Sequence, residues 1–113
     1  MLTFTKEVRG NVLVLSLKGN LDAITVPELK PEIDNIVSER KTAVVVDLSG
    51  LTLIDSSGVG AIVSLFKRVR ALSGDVKVAG VTAQPKEIFR LLRLDRAFDI
   101  HPTIEEAVAK FPR

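Results

Sequence analysis

The chain has 113 residues, of which 46% are hydrophobic and 27% are charged. We expect a single domain over residues 1–113, because this length can bury an apolar core without disulfides or bound metal. The sequence has no cysteine and only one histidine, His101, which excludes disulfide frameworks, cysteine-ligated zinc and thiol nucleophiles. The 16 basic and 14 acidic side chains nearly balance, and only 4% of residues are aromatic. Direct nucleic-acid binding through a basic patch or base stacking is therefore not expected.

The first third of the chain predicts a hairpin followed by a helix. Apolar and polar residues alternate over Leu2–Val8, and an apolar stretch follows at Val12–Leu17 after a short glycine-containing turn. Thr25 and Glu28 match a capping box, in which each side chain satisfies a free backbone amide at a helix start. Pro31 removes one helical hydrogen bond and predicts a bend or a late start of the regular helix. The apolar face of this helix consists of Leu29, Ile33, Ile36 and Val37.

The middle of the chain predicts a strand, a helix and another strand. The apolar stretch Ala43–Leu48 is typical of a central parallel strand that is covered on both faces. A second helix is predicted to begin near Ser56 or Ser57 and to stop near Gly74, and Val76–Ala79 is the next predicted strand. The apolar side of this helix consists of Val59, Ile62, Val63, Phe66 and Val69.

The C-terminal part predicts two further helices around a short strand. The third helix begins near Pro85, which suits the first helical turn because the amide there has no helical partner. Ala97–Ile100 is the last predicted strand, and Thr103 with Glu106 forms a capping box for a terminal helix. The inward side chains of the third helix are predicted to be Ile88, Leu91 and Leu92. This order of elements predicts an α/β fold, with a mixed central sheet of about five strands flanked by about four helices.

The segment Asp47–Gly60 carries the strongest indication of function. In it a buried strand ends, a short loop presents a carboxylate and two hydroxyls at Asp55, Ser56 and Ser57, and a helix begins. Ligands and partners of open α/β sheets gather at the carboxyl ends of the strands. We expect the amides of Gly58 and the two residues after it to point toward this loop and to tolerate an anion such as a phosphoryl group. Taken alone, the pattern is more often a simple helix cap and turn than a functional site.

Together with the earlier Gly19–Asp22, the segment Asp47–Gly60 resembles the signature of the STAS domains, most of all the stand-alone anti-sigma factor antagonists of bacteria. The resemblance covers almost the whole chain and agrees with its length and order of elements. It implies binding to an anti-sigma factor serine kinase, which frees a sigma factor. It also implies that the kinase phosphorylates Ser56 to end binding, and that a metal-dependent serine phosphatase restores binding. The implied partner-binding residues are Asp22, Asp55, Ser57, Gly58 and Gly60.

The resemblance implies a regulator that has no catalytic residue, metal or cofactor of its own, since the ATP and magnesium belong to the kinase. Ser57 stays open as an alternative phosphoacceptor, because it is a second hydroxyl beside Ser56. The N-terminus lacks the basic start and apolar stretch of a signal peptide, and no apolar stretch approaches the roughly 20 residues that span a bilayer. We therefore expect a cytoplasmic protein without membrane insertion.

Three other interpretations stay open at this point. STAS-like domains also serve as docking subunits of lipid-transport ATPases or stress-sensing complexes, although the hydroxyl of Ser56 favours the phosphorylation switch. Asp47 near the end of a buried strand would suit a phosphorelay receiver, but receivers need an acidic pair for magnesium and the early strands offer only Asp22. A hydrolase built from Ser56, Asp55 and His101 lacks the Gly-x-Ser-x-Gly elbow.

Overall fold

A computed structural model describes residues 1–112 and shows a five-stranded sheet in which the strand order follows the chain order. The first two strands are antiparallel, and every later strand is parallel to its neighbour. The strands are β1 (Leu2–Arg9), β2 (Val12–Leu21), β3 (Ala43–Ile54), β4 (Asp75–Ala79) and β5 (Asp99–His101). The mixed sheet confirms the predicted α/β fold.

Five helices accompany the sheet in the described part of the chain, and none has the length and hydropathy that crossing a bilayer requires. They are α1 (Val26–Ser38), α2 (Ser56–Ala71), α3 (Ala83–Leu91), α4 (Leu94–Ala97) and α5 (Ile104–Ala109). The short helix α4 was not predicted, and it includes Ala97, so the last strand begins at Asp99 instead of Ala97. Pro31 lies inside α1, and the helix continues through it.

The two faces of the sheet are covered unequally. The larger core joins α1, α2 and α3 to one face through Leu29, Ile62 and Phe89, whereas α5 covers part of the other face through Ala107. Along β3 the residues alternate between these two cores, with Val45 in the smaller one and its neighbours in the larger one. This explains why the first half of β3 is apolar on both faces, and it confirms the predicted central strand.

Strand β3 is longer than the apolar stretch that predicted it. The strand continues past Leu48 to Ile54 because β2 pairs with it to the end, where Leu21 lies opposite Ile54. Two register shifts accommodate the polar and glycine residues in this half. The predicted loop is therefore confined to the residues around Asp55, and the sheet itself delivers the chain to the start of α2.

The predicted capping box at Thr25 is wrong. The Thr25 hydroxyl donates a 2.9 Å hydrogen bond to the carbonyl of Asn20 and accepts one of 3.0 Å from the amide of Asp22. The hydroxyl is therefore used within the preceding turn and does not cap the helix. The amide of Glu28 donates a hydrogen bond to the carbonyl of Thr25 instead. At the second predicted capping box, the Thr103 hydroxyl does accept a 3.1 Å hydrogen bond from the amide of Glu106, as predicted.

The predicted inward face of α3 is also wrong at its C-terminal end. Leu91 and Leu92 are 74% and 54% exposed, whereas Phe89 is 1% exposed and fills the core position. The helix ends at Leu91, and Arg93 adopts a left-handed conformation with a φ of 59°. Both leucines lie at the C-terminal end of the helix, just before the chain turns at Arg93, and both stay on the solvent side.

Candidate functional site

The carboxyl ends of β2 and β3 bring together two acidic residues that are distant in the sequence. The last pair of the two strands, Leu21 and Ile54, lies side by side, so Asp22 and Asp55 leave the sheet at the same edge. The amide of Asp55 also donates a 3.2 Å hydrogen bond to the carbonyl of Leu21. The pairing of β2 with β3 thus brings two of the implied partner-binding residues to the same end of the sheet.

Asp55 is the N-cap of α2 and also a link between two loops. One carboxylate oxygen, Oδ1, accepts a 2.9 Å hydrogen bond from the amide of Gly58, which satisfies a free amide in the first helical turn. The other oxygen, Oδ2, accepts a 3.1 Å hydrogen bond from the amide of Ala23 in the turn before α1. One side chain thus fixes the start of α2 relative to the neighbouring turn.

Asp22 organises that neighbouring turn in the same way. Its Oδ1 accepts hydrogen bonds of 3.0 Å from the amides of Thr25 and Ile24. These hydrogen bonds lower the pKa of Asp22 below its ordinary value. The bond from the Thr25 amide has the largest effect, and the Ile24 amide and the Thr25 hydroxyl add to it. The carboxylate therefore stays ionised at neutral pH and is held against backbone amides.

Ser56 and Ser57 are the first two residues of α2, and both are exposed. The amides at these first helical positions have no intrahelical carbonyl to bond. The sequence predicted that later amides would face the loop, but Gly58 donates to the carboxylate of Asp55 and Val59 donates to its carbonyl at 2.9 Å. The amides that can meet an anion are therefore those of the two serines themselves.

The two glycines predicted to lie on the partner surface occupy opposite environments. Gly58 is buried, and a Cβ there would lie 2.4 Å from the carbonyl oxygen of Leu21 and 2.8 Å from Cγ1 of Ile54. Its predicted place on the contact surface is therefore wrong, because glycine is needed for α2 to pack against the strand ends. Gly60 is exposed, and apart from its own stretch of α2 a Cβ there would meet no atom of the described residues within 4 Å.

Two side chains at this edge were missed by the sequence analysis. Ile24 is 81% exposed in the turn between Asp22 and α1, and nothing in the alternation of residues marks it. Gln84, at the start of α3, hydrogen-bonds the backbone of Ile54. A lone glutamine in a distant helix gives no signal in the sequence, because only the packing of α3 against β3 brings it there.

The other candidate chemistries are not assembled around the serines. Asp47 lies inside β3, is 8% exposed, and accepts a 3.0 Å hydrogen bond from the amide of Ser49. A buried carboxylate within a strand does not have the open position that a receiver phosphoacceptor requires. His101 lies on β5, beyond β4, with its Nε2 atom 3.1 Å from Oδ2 of Asp99, so it does not join Ser56 in a hydrolase arrangement.

Comparison with known proteins agrees with this geometry. The sequence profile of the STAS domain matches residues 3–107. The chain belongs to the STAS domain family. One relative, the anti-sigma-F factor antagonist RsfB of Mycobacterium tuberculosis, is 29% identical over 109 residues, which cover 95% of this chain and 87% of the relative.

Solved structures of other proteins share the fold. An anti-sigma factor antagonist from Mycobacterium paratuberculosis superposes with a TM-score of 0.88 at 26% identity, covering 96% of this chain and 92% of that one. SpoIIAA of Bacillus, in its phosphorylated form, superposes with a TM-score of 0.76 at 24% identity, covering 96% of this chain and 98% of that one. This STAS domain thus shares its fold with both of these chains over nearly their whole length.

Proposed function

We propose that this STAS domain, residues 1–113, is a bacterial anti-sigma factor antagonist that acts in the cytoplasm. It binds an anti-sigma factor serine kinase, which releases a sigma factor, and phosphorylation of Ser56 by that kinase ends the binding. A serine phosphatase restores the active form. The observation that carries this proposal is the exposed hydroxyl of Ser56 at the first position of α2, beside a turn that two carboxylates hold in place.

Phosphorylation at this position changes the charge of the surface without changing the fold. A phosphoserine adds about 1.5 to 2 negative charges at neutral pH. The free amides of Ser56 and Ser57 and the dipole of α2 can stabilise that charge within the domain. Asp55 is adjacent and Asp22 lies at the same edge, so the negative potential facing a partner becomes concentrated. A partner surface that fits a neutral hydroxyl would then meet both extra volume and like charge.

The surface around the serine also offers an apolar contact. Ile24 is 81% exposed, and it follows Asp22 in the turn that Asp55 links to α2. An exposed isoleucine on a turn fixed by hydrogen bonds can enter an apolar pocket of a partner at a small cost in ordering. We assign Asp22, Asp55, Ser57 and Gly60 to the contact surface, together with Ile24, and we assign Gly58 to the packing beneath it.

Regulation of this kind requires no catalytic group in the domain itself. The kinase supplies the ATP and magnesium, and the hydroxyl of Ser56 is the substrate. Relatives support this assignment, since the M. tuberculosis relative is an anti-sigma-F factor antagonist and SpoIIAA occurs in a phosphorylated form. We assign no cofactor or metal to the functional cycle of the domain.

A pull-down with matched variants tests the proposal. Wild type and Ser56→Ala are expected to retain an anti-sigma factor kinase, identified by mass spectrometry, whereas Ser56→Asp is expected to bind it at least about tenfold more weakly because of the added charge. Ser64→Asp is the control and is expected to bind like wild type, since it adds the same charge at an exposed position of α2 about two helical turns away from Ser56. Equal binding by Ser56→Asp and wild type would contradict the proposal.

Phosphorylation itself is checked with the captured kinase and ATP. Mapping of the phosphopeptide is expected to place the phosphate on Ser56, and Ser56→Ala is expected to abolish labelling while Ser57→Ala retains it. Labelling that survives in Ser56→Ala would assign the switch to another hydroxyl. Retention of a transporter or stress-complex subunit, with no labelling, would instead favour the docking function.

A further inference from the structure

Strand β3 extends well beyond its neighbour β4. The last pair between them joins Asp47 to Ala79, and β3 then continues to Ile54. On its other side β3 remains paired with β2 as far as Ile54. The final residues of β3 therefore have a strand on one side only. They lead directly into residues 55–57, which we call the serine loop.

The side chain of Gln84 takes the position of the missing strand at the last residue. The amide of Ile54 donates a 2.9 Å hydrogen bond to Oε1 of Gln84, and Nε2 of Gln84 donates a 3.0 Å hydrogen bond to the carbonyl of Ile54. One carboxamide thus forms both hydrogen bonds that a residue of an antiparallel neighbour would form. Glutamine suits this role because its amide carries both a donor and an acceptor.

A strained turn places Gln84 within reach of the strand. Ala83, the first residue of α3, has a φ of +55°, a left-handed conformation that non-glycine residues rarely adopt. Such a conformation persists only where the surrounding structure maintains it. Here the two hydrogen bonds of the next residue, Gln84, to Ile54 supply part of that constraint.

We infer that Gln84 is a positioning residue for the serine loop, an inference that rests on the proposed function. The residues after Ile54 are Asp55 and Ser56, so the carboxamide clamp lies two residues before the phosphoacceptor. On the side of β2, Asp55 hydrogen-bonds Leu21 and Ala23. On the side of α3, Gln84 hydrogen-bonds Ile54, the residue before Asp55. The loop is therefore fixed from both sides, and α3 is coupled mechanically to Ser56.

The test compares Gln84→Met, which keeps the length but loses the amide, with Gln84→Asn, whose amide is one methylene too short. Lys86→Met on the exposed side of α3 is the control for a methionine in this helix. By NMR, both Gln84 variants are expected to raise the hydrogen-exchange rate of the Ile54 amide by at least about fivefold, because its acceptor is lost. Amides of Val44 and Val46 in the strand core are expected to be unchanged.

The functional readout uses the kinase retained by the wild-type protein. Both Gln84 variants are expected to raise KM for phosphorylation of Ser56 by about threefold or more at nearly constant kcat, because a loosened loop must be ordered on binding. Lys86→Met is expected to match wild type in both parameters. Unchanged exchange at Ile54, or unchanged KM in both Gln84 variants, would overturn this inference alone. Absence of phosphorylation at Ser56 in the wild type would instead overturn the proposed function.

Discussion

The serine loop and the cluster around Lys77 are both rich in polar groups, but they satisfy those groups in different ways. In the cluster, the Lys77 ammonium lies 2.8 Å from Oδ2 of Asp99 and 3.4 Å from Oδ2 of Asp75, and 4.8 Å above the ring of Phe111. At the serine loop the carboxylates of Asp22 and Asp55 instead accept hydrogen bonds from backbone amides. In the cluster each carboxylate lies beside a cation, namely Lys77 for both and also Arg70, which is 3.4 Å from Asp75. At the loop the carboxylates are held by uncharged backbone amides and keep their negative charge.

This difference separates a structural charge network from the surface to which we assign regulation. Lys77 is 8% exposed, and although burial opposes its charge, the hydrogen bond to Asp99 and the charge of Asp75 raise its pKa above the ordinary value. Lys77 and the two aspartates therefore stabilise one another's charges within the fold. At the loop, by contrast, the backbone amides fix the acids and leave the serine hydroxyls exposed. A new charge at Ser56 therefore alters what a partner meets without disturbing an internal ion pair.

The largest effect on stability is expected from the pair of glycines beside the serines. Gly58→Ala places a methyl group 2.4 Å from the carbonyl oxygen of Leu21, and we expect it to lower the free energy of unfolding by about 2–3 kcal/mol. Gly60→Ala adds the same methyl group to an open helical position and is expected to raise stability by up to about 1 kcal/mol. Urea denaturation measures both, and a loss of stability in Gly60→Ala equal to that in Gly58→Ala would contradict the packing described for Gly58.

A smaller effect is expected from breaking the ion-pair cluster. Lys77→Met keeps the length of the stem but removes the ammonium, and we expect a loss of about 1 kcal/mol, because Asp99 is half exposed and water can replace the lost partner. Lys67→Met on the exposed face of α2 is the control, with an expected change near zero. Binding to the proposed anti-sigma factor kinase is expected to be unaffected by Lys77→Met, and weakened binding would show that the cluster is not purely structural.

The smallest effect concerns pH. The hydrogen bond from Lys77, aided by His101, lowers the pKa of Asp99 below its ordinary value of 3.8. The stabilisation that ionised Asp99 gives to the folded state is therefore complete above about pH 3.8 and is lost as the pH falls through the lowered pKa. The stability difference between wild type and Asp99→Asn is expected to shrink by a few tenths of a kcal/mol, as for a partly exposed pair, between neutral pH and pH ~3. The same comparison in a Lys77→Met background should show less change, and an equal change there would assign the shift to another neighbour.

Much of the site was predictable because its signals are local. The apolar stretch at the start of β3 predicted a central strand, and the sequence from Asp55 to Gly58 predicted a cap and a helix start, both of which the structure confirms. The roles of Thr25 and Gly58 were not predictable in this way. The hydroxyl of Thr25 had a choice of partners within five residues, and the burial of Gly58 depends on the carbonyl of Leu21, which belongs to another strand.

By itself, the sequence determined the α/β class, the family resemblance and the position of Ser56 at the start of α2, because periodicity and capping chemistry act over a few neighbouring residues. The tertiary structure decided which groups meet across the sheet edge. It placed Gln84 on Ile54, linked Asp55 to Ala23, and left Leu91 exposed at the end of α3. These outcomes depend on strand length, register and helix docking, which are set by packing between distant segments of the chain.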